Sequence, residues 1–419
     1  MCIAPPGPAW NVALPVSSGS GALLSLPLLA LFLAAFAFGT AEFVIAGVLP
    51  DVALGLGVSI PVAGFLVSGY ALGIALGGPL LTLATRSMNR KLLVIVLGLG
   101  FTFGQALCAL APNFELLMAA RVFVSALHGS YFGIAFILAT AIVPPERRGF
   151  AMALILAGLT VSNILGVPGG TAIGNALGWR ATFWAVGALG LVATLIIAIW
   201  LPADAGRSAA RNGFRREFSA LGRQQVFTGI LIAILVMIGQ YSLFTYIAPL
   251  LLTVTGLSTE IIPLILLLYG IGSTIGVFIG GRLADWRLMP SLIAVLAIQV
   301  LLFIALFYAS ADPVLMSIVV VLWGGANFAF GSPLQSRMLM WAADAPNLTS
   351  ALIPTGFNIG IAIGAILGAA LLDAGWNYQY LPLIGAASLA IAVVIASISA
   401  IQEKRSGQRP PLAGPAIAV

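Results

Sequence analysis

Apolar runs of about 20 residues follow one another twelve times along this chain, separated by short patches that hold almost all of its charge. A run of that length, wound as a helix, crosses about 30 Å of hydrocarbon. Of 419 residues 61% are hydrophobic and 7% charged, whereas about a quarter of the residues of an ordinary globular domain are charged. The expectation is an all-α integral membrane protein with the lipid bilayer as its surroundings. The net charge of +6 does not point to nucleic acid. If the N-terminus is cytoplasmic and the spans alternate, every Lys and Arg except Arg121 and Arg180 falls in or beside a cytoplasmic segment. That is the positive-inside pattern, and it predicts a multi-pass protein with both termini in the cytoplasm.

The expected spans are 26–49, 60–82, 91–110, 116–141, 149–173 and 180–200, then 227–250, 261–281, 290–309, 314–339, 349–372 and 380–400. Residues 1–25 read as a disordered cytoplasmic tail, 26–200 as an N-terminal six-helix bundle, 201–226 as a basic cytoplasmic linker, 227–400 as a C-terminal six-helix bundle, and 401–419 as a second cytoplasmic tail. Cys2 and Cys108 are too few for a disulfide framework.

The two bundles read as copies. Gly69, Gly73 and Gly77 recur as Gly272, Gly276 and Gly280; Gly158, Gly166 and Gly170 recur as Gly356, Gly364 and Gly368. Gly178-Trp179 matches Gly375-Trp376, Pro50 matches Pro249, and Gly133 matches Gly331. Six spans per copy is an even number, so the copies are parallel repeats related by an axis along the membrane normal. Glycine at every fourth position bares one helix face to a neighbouring backbone. The stripes fall on spans 2, 5, 8 and 11, and the expectation is that they mark where the bundles meet and rock.

Gly39-Thr40-Ala41-Glu42-Phe43 with Gly47-Val48-Leu49-Pro50, Gly78 through Arg86, Arg90 and Lys91, Arg121 with Gly129, and Gly158 with Gly166-Val167-Pro168-Gly169-Gly170 and Trp179-Arg180 are four local patterns. Through them the chain resembles the major facilitator superfamily, and within it the twelve-span drug:proton antiporters. His128-Gly129 with Tyr131, Phe132 and Gly133 is similar to a branch of sugar, arabinose-type or nucleoside efflux permeases, some linked to chloramphenicol resistance. One position departs from the pattern: the acidic residue of the loop after span 2 is Thr82, whereas the second half keeps Asp285 four residues after Gly281. The resemblance implies the major facilitator fold, a bacterial inner membrane location, a monomer, and a conformational role for Gly78, Arg86, Arg90, Gly166, Pro168, Gly169, Gly170 and Asp285.

Ionisable groups deep in a span are costly and therefore functional candidates. Counting residues puts Glu42 about 21 Å and Arg121 about 22 Å from the cytoplasmic face, at matching depth. Glu42 is expected to bind the coupling proton or a cationic solute with Arg121 as its modulator; a permanent ion pair that only braces the bundle is the alternative. Asp51, at the outer end of span 1, and His128, two turns beyond Arg121, are secondary proton candidates. Tyr131 and Asn163 in the first half, with Gln240, Tyr241, Phe244, Asn327 and Asn358 in the second, are the expected solute contacts. A wall of that kind suits an amphipathic, weakly charged solute. Pro168 is expected to kink span 5. No metal set and no cofactor is implied.

These readings converge on a secondary transporter that exports a small organic solute, a drug or sugar-like metabolite, against protons. Proton-coupled uptake and a non-transporting receptor on the same fold remain open. Enzyme activity has no support, since neither a phosphate-binding loop nor a nucleophile with its base is present.

Overall fold

The computed structural model describes residues 25–205, 223–342 and 346–406, with side chains of 346–351 and 406 left aside. The expected tail at 1–25 lies outside them except for its last residue. So do Arg207, Arg211, Arg215 and Arg216 of the expected linker and most of the expected C-terminal tail. Among the described residues twelve helices are long and apolar enough to span a membrane: Leu26–Phe43, Ile60–Ala84, Arg90–Leu110, Phe114–Ala141, Pro145–Leu177 and Trp179–Trp200, then Gln224–Thr253, Ile262–Trp286, Leu288–Ala309, Pro313–Trp341, Leu352–Asp373 and Tyr378–Arg405. They are called spans 1 to 12 here.

Polar residues at the span ends set the boundaries. Ser59, Asn89, Asn113 and Asp312 cap the starts of spans 2, 3, 4 and 10 by accepting from backbone N–H groups of the first turn. Gly178 and Gly375 both have φ of 86° with open space at the missing side chain. There the backbone conformation itself calls for glycine, and the copied Gly-Trp pair is the same turn used twice, before spans 6 and 12.

Two matched prolines break two matched helices. Pro50 has no N–H for the Ala46 carbonyl, and span 1 stops at Phe43, turns through Val44, and restarts as Ile45–Leu56. Pro249 does the same to Thr245 in span 7, which runs Gln224–Phe244 and resumes as Ile247–Thr253. Spans 2 and 5 instead each widen into a π turn, Gly73–Gly77 and Ser162–Gly166, with Pro79 and Pro168 in the first turn after it. The expected discontinuity at Pro168 is thus taken up in the turn before it. Span 8 carries no such turn.

Packing repeats in the two halves. Span 1 packs on spans 5 and 6, span 2 on span 4, and span 3 on spans 4 and 6; span 7 packs on spans 11 and 12, span 8 on span 10, and span 9 on spans 10 and 12. The halves meet through span 2 against span 11, span 5 against span 8, and the second pieces of spans 1 and 7 against each other. Large apolar side chains such as Leu80, Phe278 and Leu301 remain exposed around the outside, as a lipid-facing surface requires.

The glycine stripes lie on the spans that form the junction, but their bare faces turn away from it. A Cβ on Gly78, next after the span 2 stripe, would sit 2.7 Å from the Gly129 Cα of span 4, and those on Gly272, Gly276 and Gly280 would run into the span 10 backbone at Val321, Gly325 and Ala329. Gly158 closes on Phe32 of span 1, and Gly364 on Ile238 of span 7. These faces lock spans together inside each half. Spacing shows that a face is bare, not which neighbour takes it. Gly270 is different, because a Cβ there would lie 2.5 Å from the Asn163 carbonyl oxygen of span 5, across the junction.

Candidate coupling and solute site

The break in span 1 puts Glu42 and Phe43 at the last turn of the first piece, and the break in span 7 does the same for Tyr241 and Phe244. Glu42, Phe43, Ile45, Ala46 and Val67 from the first half, with Tyr241, Phe244 and Thr245 from the second, line a small cavity between the halves, with room for about one water. With Pro50 set on Pro249, Glu42 falls on Tyr241, Ile45 on Phe244 and Ala46 on Thr245. The two walls are therefore repeat-related, with a carboxyl on one side and a phenol on the other. The rings of Phe43 and Tyr241 approach to 6.3 Å across the gap.

Glu42 faces His128, with Oε2 3.8 Å from Nε2 and side-chain exposures of 11% and 5%. That separation is electrostatic contact, longer than a hydrogen bond. The other ring nitrogen, Nδ1, is 3.1 Å from the Tyr70 hydroxyl. Phe38 and Phe132 flank the imidazole at ring distances of 5.2 and 5.3 Å, so the contact is walled by apolar rings.

Arg121 is buried but does not pair with Glu42 through a hydrogen bond. Its Nε donates to the Leu66 carbonyl and Nη1 to the Ala41 carbonyl, both at 3.2 Å, its guanidinium carbon stands 4.6 Å from the Tyr70 ring centre, and Nη2 has no hydrogen-bond partner. The reason is geometric: the fork reaches the backbone of spans 1 and 2 before it reaches the carboxylate. Asp51 sits half-buried on the second piece of span 1, away from the cavity lining.

Of the expected solute contacts, Tyr241 and Phe244 line the cavity. The others are engaged in the surrounding protein. Gln240 accepts from Trp323 Nε1 at 2.5 Å and donates to Gln299 at 2.6 Å. Tyr131 donates to the Leu31 carbonyl, Asn163 to the Leu159 carbonyl, Asn327 to the Tyr269 hydroxyl and Asn358 to the Pro354 carbonyl. The side-chain oxygens of Asn327 and Asn358 are buried without a partner. Sequence reasoning overlooked Phe43, Ile45, Ala46, Val67 and Thr245; the matched prolines were the signal for all but Val67. It also overlooked Tyr70, for which no local pattern spoke.

Among the residues of expected conformational role, Gly78 abuts Gly129, Gly166 abuts Thr40, Gly170 abuts Val44, and Gly169 faces open space. At Thr82, where the loop pattern has an acid, the hydroxyl donates to Ser130, which in turn donates to the Gly78 carbonyl. Arg86 and Asp285 are exposed and Arg90 half-buried at the end of the molecule that carries the basic connections. In the second half Arg337 is fully buried and donates to Glu403 at 2.6 Å and Ser399 at 2.6 Å. No group of three or more possible metal ligands occurs among the described residues.

Residues 31–352 match the family model "Major Facilitator Superfamily". The chain is 37% identical to the inner membrane transport protein YdhP of Escherichia coli K12, over 90% of this chain and 96% of that one. It is 35% identical to a chloramphenicol resistance protein of Streptomyces lividans, over 89% and 95%. A bacterial homologue of the lysosomal transporter Spinster, solved in an inward-facing and unoccupied conformation, superposes with a TM-score of 0.69 at 20% identity, covering 90% of this chain and 95% of the other. The chain belongs to the major facilitator superfamily and is a twelve-span membrane transporter of that fold.

Proposed function

We propose that this transporter exports a small organic solute, a drug or sugar-like metabolite, in exchange for protons, by alternating access between two six-helix bundles at 26–200 and 227–400. It works as a monomer in a bacterial inner membrane with both termini cytoplasmic. The observation that carries the reading is Glu42, a carboxyl nearly sealed from solvent and lining a cavity that both halves wall. A carboxyl in such a place binds and releases a proton as its wetting changes. Arg121, His128 and Asp51 modulate it along the proton path.

The solute side is formed by Phe43, Tyr241, Phe244 and Thr245, apolar faces with two hydroxyls, which suits an amphipathic molecule. Tyr131, Asn163, Gln240, Asn327 and Asn358, each bonded within its own half, would be further solute contacts. Contacts that join the halves, Asn175 to the Thr259 carbonyl at 2.8 Å and Ser68 to the Ala362 carbonyl at 3.2 Å, would be made and broken in each cycle. The similarity to a chloramphenicol resistance protein favours export and an amphenicol-like solute.

The test is proton flux in proteoliposomes challenged in turn with chloramphenicol, arabinose and a nucleoside. Antiport moves protons against the added solute. Movement in the same direction would establish uptake symport instead, and absence of proton movement with solute counterflow intact would remove proton coupling.

A further inference from the structure

Four polar side chains from three spans form one line through the first half. The Arg121 guanidinium stands over the Tyr70 ring, the Tyr70 hydroxyl meets His128 Nδ1, and His128 Nε2 faces Glu42. Tyr70 is 1% exposed, and among the described residues its hydroxyl has His128 as its hydrogen-bond partner. Other titratable groups nearby are Cys108 of span 3, close enough to act on Tyr70 and Arg121, Tyr131 on the same helix as His128, and Tyr241 of span 7, which lines the same cavity as Glu42.

A neutral imidazole offers one N–H and one lone pair, so the atom beside Nδ1 decides what Nε2 presents. A buried hydroxyl whose partner is Nδ1 keeps its own O–H satisfied only by donating into a bare Nδ1. The proton then sits on Nε2. An ionised Glu42 selects the same form, because a carboxylate facing Nε2 is stabilised by an N–H and repelled by a lone pair.

We propose that Tyr70 is a positioning residue that donates to His128 Nδ1 and so holds the Nε2–H toward Glu42. The proposal rests on the coupling role of Glu42 given above. With Nε2 kept as a donor, a protonated Glu42 finds no imidazole lone pair to donate into, and its proton remains free to leave toward the cavity. Arg121 contributes by holding the Tyr70 ring through its face.

His128 is the sole histidine of the chain, so histidine-selective 15N labelling of protein carrying a non-histidine tag reads one imidazole. The wild type is expected to show the Nε2–H tautomer. Tyr70→Phe, which removes one oxygen and little volume, is expected to raise the Nδ1–H population several-fold and to displace the pH profile of solute-driven proton flux. Tyr131→Phe removes a nearby buried hydroxyl bonded to the Leu31 carbonyl instead and should leave the tautomer as it was. A wild type carrying Nδ1–H would overturn the proposal even if Tyr70→Phe fails to fold. So would a tautomer indifferent to Tyr70→Phe, or a tautomer change with an unmoved pH profile. The tautomer is read without transport, so loss of the coupling role through Glu42 variants and loss of this proposal give different results.

Discussion

The Glu42 carboxylate faces the His128 imidazole at 3.8 Å while the Arg121 guanidinium, which sequence depth matched to Glu42, is turned onto the carbonyls of Ala41 and Leu66. Among the described residues the carboxyl thus has no permanent cation hydrogen-bonded to it. A titrating site needs that freedom, because a fully paired buried carboxylate holds its charge through the cycle.

The glycine faces predict a stability effect inside one half. Gly276→Ala places a methyl group against the Gly325 backbone carbonyl, which cannot swing aside. Thermal unfolding in detergent should show a loss of about 1–3 kcal/mol, the usual cost of overpacking. Gly281→Ala, where nothing lies within 4 Å, should stay within about 0.5 kcal/mol of the parent.

Gly270 predicts a conformational effect between the halves. Gly270→Ala pushes on the Asn163 carbonyl of span 5 and disfavours the arrangement in which spans 5 and 8 touch. A difference of 1–3 kcal/mol shifts a two-state balance by about 5–150-fold. A thiol introduced by Ser68→Cys, at a position buried between spans 2 and 11, should then react with a membrane-impermeant maleimide correspondingly faster.

The buried ion pair of the second half predicts unequal effects from its two partners. Glu403→Ala leaves Arg337 buried with its charge uncompensated, and such changes cost about 3–5 kcal/mol. Glu403 is 17% exposed at the side chain, so the lower end of that range is expected in the melting temperature. Arg337→Met removes the buried charge itself and leaves a partly wetted carboxylate, so it should cost less.

Much of this architecture was legible in the sequence because hydrocarbon enforces it. Twelve runs had to be helices, and each expected span lies within a few residues of its helix except where span 1 continues past Pro50. The matched Gly178 and Gly375 proved to be one turn made twice. What a single helix cannot encode was not legible. Pro50 and Pro249 stood out as a pair, yet whether a proline bends, breaks or widens its helix depends on the neighbours, and here spans 1 and 7 break whereas spans 2 and 5 widen. The candidate site was half legible. Charge drew attention to Glu42, Arg121 and His128, but Tyr70 carries none, and only packing brings it between Arg121 and His128.

The proposed coupling role of Glu42 is tested most directly by proton flux through Glu42→Gln in proteoliposomes, measured beside solute counterflow over a series of pH values. The substitution keeps the shape of the side chain and removes its proton exchange. Counterflow should persist, solute-driven proton movement should fall to the leak rate, and the remaining transport should lose its dependence on pH. Proton movement equal to that of the parent, with the same pH dependence, would contradict the assignment.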